Sequence, residues 1–229
     1  MSVAMSPAPS SVAAPPALAI DLRAAGKSFA RRGVTLRALL PVDLAVPRGS
    51  FLTIVGPSGC GKSTILNMVA GLMPPSEGCV LYNGAPVDGP NRRVGYMTQK
   101  DTLLPWRSVE DNIGIALELR CRSTPGRERR DRVARIMEVV GLSGFGRHYP
   151  NELSGGMRKR AALARMLIYE PETLLLDEPF GALDAQLKLV MQQELLRLTR
   201  ARQMTVLFVT HDLGEALTLA DRIILFSAR

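Results

Sequence analysis

The chain has 229 residues, 46% of them hydrophobic and 22% charged, and a formal net charge of +8. That length can bury a core of one or two lobes, and no apolar run approaches the roughly 20 residues that would span a bilayer. The basic balance favours acidic partners such as nucleotide phosphates or an anionic membrane surface. It speaks against nucleic acid, because the basic residues are scattered through helix patterns such as GRERRDRVARI (Gly126 to Ile136) without interleaved aromatics, as on a solvated face.

From the N-terminus, Met1 to about Pro16 is an Ala/Pro/Ser-rich stretch with the composition of a disordered tail. Its prolines and the lack of a basic start make it a poor signal peptide. Leu18 to Pro47 predicts antiparallel strands at the edge of a sheet. FLTIV (Phe51 to Val55) is a short apolar strand closed by Gly-Pro, and Lys62 to Leu72 has helical spacing. A short strand follows at Val94 to Met97. From about Ser108 to Met166 there are helix patterns and no convincing strand. TLLLD (Thr173 to Asp177), TVLFV (Thr205 to Val209) and RIILF (Arg222 to Phe226) are continuous apolar runs, with helices over Asp184 to Arg202 and Leu213 to Ala220. Such strands alternating with helices predict an α/β fold with a mostly parallel sheet covered on both faces. The division expected is a tail (1–16), an α/β core (17–98 and 167–229) and an inserted all-helical subdomain (99–166). Cys60, Cys79 and Cys121 are odd in number and lack metal-site spacing, which fits a reducing compartment.

The chemistry concentrates at the strand ends. GPSGCGKST, comprising Gly56, Pro57, Ser58, Gly59, Cys60, Gly61, Lys62, Ser63 and Thr64, follows a strand and opens a helix, as a P-loop does. Its backbone N–H groups cradle phosphate oxygens, Lys62 adds a point charge, and Ser63 offers a hydroxyl to Mg²⁺. LLLDEP (Leu174 to Pro179) ends a buried strand in two carboxylates. Alone, DEP is equally a turn and helix-start signal. Beside a phosphate loop, Asp177 is a metal ligand through water and Glu178 the acceptor of a proton from attacking water. His211 follows another strand, faces the ligand crevice and can contact the γ-phosphate, although a lone histidine is more often structural. Gln99 closes the short strand at Met97 and can touch Mg²⁺ or the lytic water. Composition alone does not decide that role. His148 is assigned to the surface.

LSGGM (Leu153 to Met157) is a second glycine-bearing helix start: either a simple cap, or an anion site with no lysine inside it. The phosphate loop, Gln99, LSGGM, LLLDEP, ALD (Ala182 to Asp184) and His211 occur in one order. Together they resemble the ATP-binding subunit of an ABC transporter, a P-loop ATPase. The resemblance implies ATP and Mg²⁺ as ligands, with Lys62, Ser63, Gln99, Asp177, Glu178 and His211 in the roles above. It further implies a head-to-tail dimer in which Ser154, Gly155 and Gly156 of one copy face the γ-phosphate held by the other. Asp184 would then lie at the seam. Phe29 matches the aromatic that stacks on adenine, against the alternative of a buried core residue.

QKDTLLPWRSVEDNI (Gln99 to Ile113), YPNELSGGMRKRAALARML (Tyr149 to Leu167) and LLLDEPFGALDA (Leu174 to Ala185) resemble the importer subfamily for nitrate, sulfonate, taurine and related solutes. That implies a peripheral subunit on the cytoplasmic face of the inner membrane, a separate permease docking near Leu104, Pro105 and Trp106, and a solute-binding protein engaged only indirectly. Trp106 has core packing as its alternative. The chain departs from the common pattern at Met157, where most relatives have Gln, and it stops at FSAR where similar proteins usually continue for some tens of residues. Two rival classes stay open. One is a soluble ABC ATPase acting on DNA or the ribosome, although the paired cassettes, coiled coils or zinc-binding inserts usual there are missing. The other is a nucleotide-binding regulator that never turns over.

Overall fold

A computed structural model describes residues 17–31, 34–120, 125–181 and 183–227. The tail at 1–16, Cys121 and Ala182 of the ALD motif lie outside the described residues. Five strands form a wholly parallel sheet in the order β6-β7-β8-β3-β9: β3 (Phe51–Val55), β6 (Val94–Met97), β7 (Thr173–Asp177), β8 (Thr205–Thr210) and β9 (Arg222–Leu225). The antiparallel strands expected over Leu18 to Pro47 are present as β1 (Leu18–Arg31) and β2 (Val34–Pro47). They hydrogen-bond into a sheet of their own, β2-β1-β4-β5, completed by β4 (Glu77–Tyr82) and β5 (Ala85–Pro86). Helix α1 (Lys62–Val69) touches β4 of the second sheet and β7 and β8 of the first.

The pleat explains why the parallel strands read as unbroken apolar runs. Successive side chains leave on opposite faces, and both faces are covered. Leu52, Ile54, Leu175, Leu207 and Val209 enter a core shared with α1 and the antiparallel sheet. Phe51, Leu174, Leu176, Val206 and Phe208 enter a second core against the helices. There Phe208 packs on Phe51 and Phe180 with ring centroids 5.8 Å apart in both pairs. Truncating so buried an aromatic costs about 3–5 kcal/mol.

Between β6 and β7 the described residues contain helices and no strand: α2 (Val109–Arg120), α3 (Gly126–Val139) and α4 (Gly155–Leu167). Helix α3 buries only Val133 and Met137, so its arginine-rich run is a solvated face. After β7 come α5 (Ala185–Ala201) and α6 (Leu213–Leu219). His148, expected at the surface, is half-buried with its ring 5.2 Å from Phe145.

Candidate functional site

In a parallel sheet the carboxyl ends of the strands share one edge, and the loops leaving them meet there. The order β6-β7-β8-β3 therefore sets four segments side by side: Gln99 after β6, Asp177 and Glu178 at the end of β7, His211 after β8, and the glycine loop after β3. A cleft of about 200 Å³ opens among the Gln99, Asp177–Glu178 and glycine-loop segments, lined by Ala38, Ser58, Gly59, Gly61, Lys62, Ser63, Thr64, Gln99, Asp177 and Glu178; His211 does not line it and reaches it only through Glu178.

Two glycines of the loop are sterically required. Gly61 lies at φ 98°, and a Cβ there would sit 2.9 Å from the Ala38 carbonyl oxygen. At Gly56 a Cβ would come within 2.6 Å of the Phe226 carbonyl oxygen, because the chain leaving β9 crosses it. The loop is held by its own lysine. Lys62, buried, donates through Nζ to the carbonyls of Gly56 and Pro57 at 2.7 Å each and approaches Cys60 Sγ at 3.8 Å. Cys60 faces an adjoining cavity of about 670 Å³ that shares Ala38, Ser58 and Gly59 with the cleft.

Asp177 is 4% exposed, and Ser63 hydrogen-bonds to it. Burial pushes its carboxyl above the usual carboxylate range and the neighbouring Glu178 adds to this, while the Ser63 bond, Lys159 and Lys62 oppose it. Glu178 is gripped from both sides: Gln99 Nε2 lies 3.5 Å from Oε2, and His211 Nδ1 lies 3.2 Å from Oε1. Its backbone sits at φ 47°, a left-handed conformation that costs a non-glycine residue about 1 kcal/mol or more. A bond from Glu178 N–H to the Val209 carbonyl at 2.9 Å holds it there. Of the three side chains that sequence reading assigned to the hydrolytic step, Gln99 and His211 thus converge on the third, the Glu178 carboxylate.

Ser63, Asp177 and Gln99 all line the cleft and carry hydroxyl, carboxylate and amide oxygens. That is the donor chemistry Mg²⁺ prefers, and a cation would offset the buried negative charge at Asp177. The residues fit the ion.

Other expected residues lie apart from the cleft. Ser154 caps α4, accepting from Met157 N–H at 3.2 Å; Ser154 and Gly155 are exposed and Gly156 is half-exposed. Met157, unexplained by sequence, spends its N–H on that cap and packs its side chain against the helical core. Asp184 caps α5 through Leu187 N–H at 2.9 Å and is exposed. Phe29 pairs with Leu36 across the β1–β2 ladder, lies under Lys27 Nζ at 5.5 Å, and is 40% exposed, so it is not a core residue; it lines neither cavity. Trp106 is 72% exposed, which excludes core packing.

Sequence reading missed two residues here. Lys159 of α4 donates to the Gln99 carbonyl. Burial lowers its ammonium pKa, against the opposing pull of Asp101, Asp177 and Glu178. Nothing in the run MRKR separates it from a solvated cation. Asn112, fully buried, donates to the carbonyls of Leu104, Arg107 and Ser108 at 3.0 Å each and accepts from Leu104 N–H at 2.7 Å. Its signal is a lone amide on the buried face of an apolar helix.

Comparison with known proteins agrees with this arrangement. The family profile described as ABC transporter matches residues 39–181. An uncharacterized ABC transporter ATP-binding protein of Methanocaldococcus jannaschii is 45% identical over 203 residues, covering 89% of this chain and 75% of its own. An aliphatic sulfonates import ATP-binding protein of Burkholderia cenocepacia is 44% identical over 227 residues, covering 99% and 80%. Among solved structures, a dimeric ATP-binding cassette in a post-hydrolysis state bound to ADP and Pi superposes with a TM-score of 0.85 at 33% identity, over 90% of this chain and 94% of that one. A dimeric bacterial ABC transporter cassette gives 0.86 at 34%, over 91% and 94%. With a glycine loop, a paired carboxylate and a capped LSGG helix in the arrangement its sequence implied, this chain belongs to the ABC transporter family as one of its nucleotide-binding, ATP-hydrolysing subunits.

Proposed function

We propose that the chain binds MgATP in the cleft and hydrolyses it to drive import of a small solute, of the sulfonate, nitrate or taurine type, through a separate membrane permease. One observation carries the reading: the Glu178 carboxylate, held by Gln99 and His211, stands at a cleft floored by Lys62, Ser63 and Asp177. The loop N–H groups and Lys62 hold the β- and γ-phosphates. Glu178 takes the proton of a water that attacks the γ-phosphorus in line, the bond to the β–γ bridging oxygen breaks, and ADP and phosphate leave. His211 and Gln99 keep the carboxylate aimed. The Ser63 hydroxyl, the Gln99 amide oxygen and, through water, Asp177 would hold Mg²⁺, which would supply positive charge to offset that of the phosphates. Phe29 offers an exposed ring for the base.

Two copies close head to tail, so that Ser154, Gly155 and Gly156 of each meet the γ-phosphate held by the other, with Asp184 near the seam. The dimeric cassettes to which this fold is similar support that arrangement. A groove of about 310 Å³ whose lining includes Leu104, Ile115, Leu119 and Met166, beside the exposed Trp106, suits a short apolar helix of the permease. Among the described residues no helix is long and apolar enough to cross a membrane. In this reading the subunit meets the cytoplasmic face through that permease. The sulfonate-importing relatives support the solute class, whose recognition would belong to the permease and a solute-binding protein.

The test is Glu178→Gln in the subunit assembled with its permease. Turnover should fall by about 10²–10³-fold with ATP affinity retained. An unchanged rate would remove Glu178 as the base. Tight ATP binding without turnover in the parental complex would instead favour a regulatory role.

A further inference from the structure

At the edge of the parallel sheet opposite the nucleotide cleft, a cavity of about 380 Å³ opens between α3 and the segments that lead into β7 and β8. Glu170 lies just before β7 and Met204 immediately before β8, whereas Asp177 and His211 mark the far ends of those strands. A five-residue strand is about 15 Å long, so the two sites stand apart, and they share no lining residue.

Helix periodicity builds the walls. Arg132, Arg135, Ile136 and Val139 recur at the spacing of one face of α3, beside the face that buries Val133 and Met137. Leu198 and Arg202 stand about one turn apart at the end of α5. The floor is apolar: Leu167, Ile168 and Met204 belong to the buried core and also line the cavity. The rim is basic, with Arg132, Arg135 and Arg202 set against a single carboxylate, Glu170. Arg202 is paired with Glu170, and Arg132 with Glu128 at 2.9 Å. Arg135 is exposed, and among the described residues it has no hydrogen-bond or ion-pair partner. Neither Arg132 nor Arg135 lies in the last turn of α3, so the dipole of that helix does not account for them.

Small-molecule sites are concave, about 300–1,000 Å³ in volume and mostly apolar, with a few polar groups that fix orientation. This cavity has that size and that division of labour. Its polar groups are guanidinium forks, which suit the oxygens of a carboxylate or sulfonate. We propose that the cavity binds a small organic anion with an apolar body, of the medium-chain alkyl carboxylate or sulfonate class, and that the occupant slows turnover without displacing ATP. Its head group meets Arg135, and its chain lies over Leu167, Ile168 and Met204. An occupant that touches α3 on one side and α5 and the entry to β8 on the other resists displacement of one against the other. The binding site stands without the hydrolytic reading; the effect on turnover rests on it.

The experiment titrates the full chain calorimetrically with octanesulfonate and octanoate, at concentrations where both are monomeric. Saturating MgATP should leave either Kd within about twofold. Sulfate and octanol, the head and the tail alone, should bind at least about tenfold more weakly. Arg135→Glu should weaken binding by about tenfold or more. Arg130→Glu, the same charge change on the same helix outside the cavity, should leave it within about twofold. Parental MgATP affinity shows that each variant has folded. Octanesulfonate should lower kcat about two- to fivefold with KM for ATP unchanged, and Arg135→Glu should remove that effect. Displacement by MgATP, equal binding of octanol, or equal losses in the two variants would overturn the site. Binding to phosphatidylglycerol vesicles without binding of either monomeric amphiphile would assign the arginines to a membrane surface and overturn it too. Binding with no change in kcat would overturn the regulatory half. A chain that binds octanesulfonate but hydrolyses no ATP would sink the hydrolytic reading, and the turnover effect with it, while the site stood.

Discussion

Gly56–Thr64 and Ser154–Gly156 are both glycine-bearing turns that open helices, and they are built to opposite ends. The first is closed on itself. Its helix begins at a left-handed Gly61 with no side-chain cap, and its lysine is buried and bonded to the loop's own carbonyls. The second is open: Ser154 and Gly155 are exposed, and a Cβ on Gly155 would meet only Arg158 Nη2, at 3.9 Å. Its helix has no acidic residue in the first turn, and Arg158, Lys159 and Arg160 follow at once. Cations near a helix N-terminus oppose the dipole unless an anion sits there. The difference supports the proposal that the phosphate loop is a whole site and the LSGG turn half of one, which would suit a ligand already held by another chain.

The largest expected effect comes from breaking the whole site. Lys62→Met removes the charge and the bonds that shape the loop. ATP affinity should drop on the order of 10²-fold, with hydrolysis lost as well, as equilibrium binding and turnover would measure. If binding survived at the parental level, the loop would not be the phosphate site.

The half site should respond differently. Ser154→Arg places bulk and charge at an exposed turn far from Lys62's bonds, so one copy should still bind ATP within about threefold of the parent while hydrolysis disappears. A sharper version mixes this variant with Lys62→Met. In a mixed dimer, one sandwich site combines an intact Lys62 with an intact Ser154. Random pairing of equal amounts should restore roughly a quarter of the parental rate. No recovery on mixing would mean that the two motifs act within one chain.

This contrast marks what the sequence could disclose. Strands buried on both faces announce themselves as TLLLD and TVLFV, and whatever follows such a strand lands at the shared edge. Gln99, Glu178 and His211 could therefore be picked out although far apart in the chain. β4 escaped because Glu77 to Cys79 are exposed and Gly78 interrupts the run; its pairing to β1 is long-range and leaves little local pattern. The separate antiparallel sheet was illegible for a related reason. One-sided alternation, as in β1, identifies a strand but not the surface it is laid against. Lys159 was hidden by chemistry: its partner is a carbonyl 60 residues away, and a carbonyl has no sequence signal. Ser154 was legible as a cap, which the structure shows, whereas the Asp184 cap went unread; the proposed roles of both in a dimer need a second chain.

The smallest expected effect tests how self-contained the whole site is. His211 stands between Thr210 and Asp212, and α5 steadies that stretch through Lys188. Its ammonium lies 2.6 Å from Asp212 Oδ2 and 2.7 Å from Glu215 Oε1, while Thr210 Oγ1 donates to Glu215 Oε2 at 2.5 Å. Glu215 is 4% exposed, so Lys188→Met strands a buried carboxylate and should cost about 2–3 kcal/mol in urea unfolding at neutral pH. Asp212, 40% exposed, adds little to that loss because water screens it. The bond from Lys188, chiefly, lowers the Asp212 pKa, so its share of stability is present above the ordinary value of about 3.9 and is lost as pH falls through the depressed one. Burial opposes the charge on Lys188, but its bonds to Asp212 and Glu215 raise its pKa overall, so its share persists below the ordinary lysine value and fades only in stronger alkali. The gap between parent and variant should therefore hold steady across neutral pH and narrow below about pH 4. A gap unchanged at pH 3 would mean that Lys188 acts by packing its stem rather than by its charge. A turnover loss larger than a few-fold, with ATP affinity intact, would mean that His211 depends on α5 and that the phosphate side is less complete than its closed loop suggests.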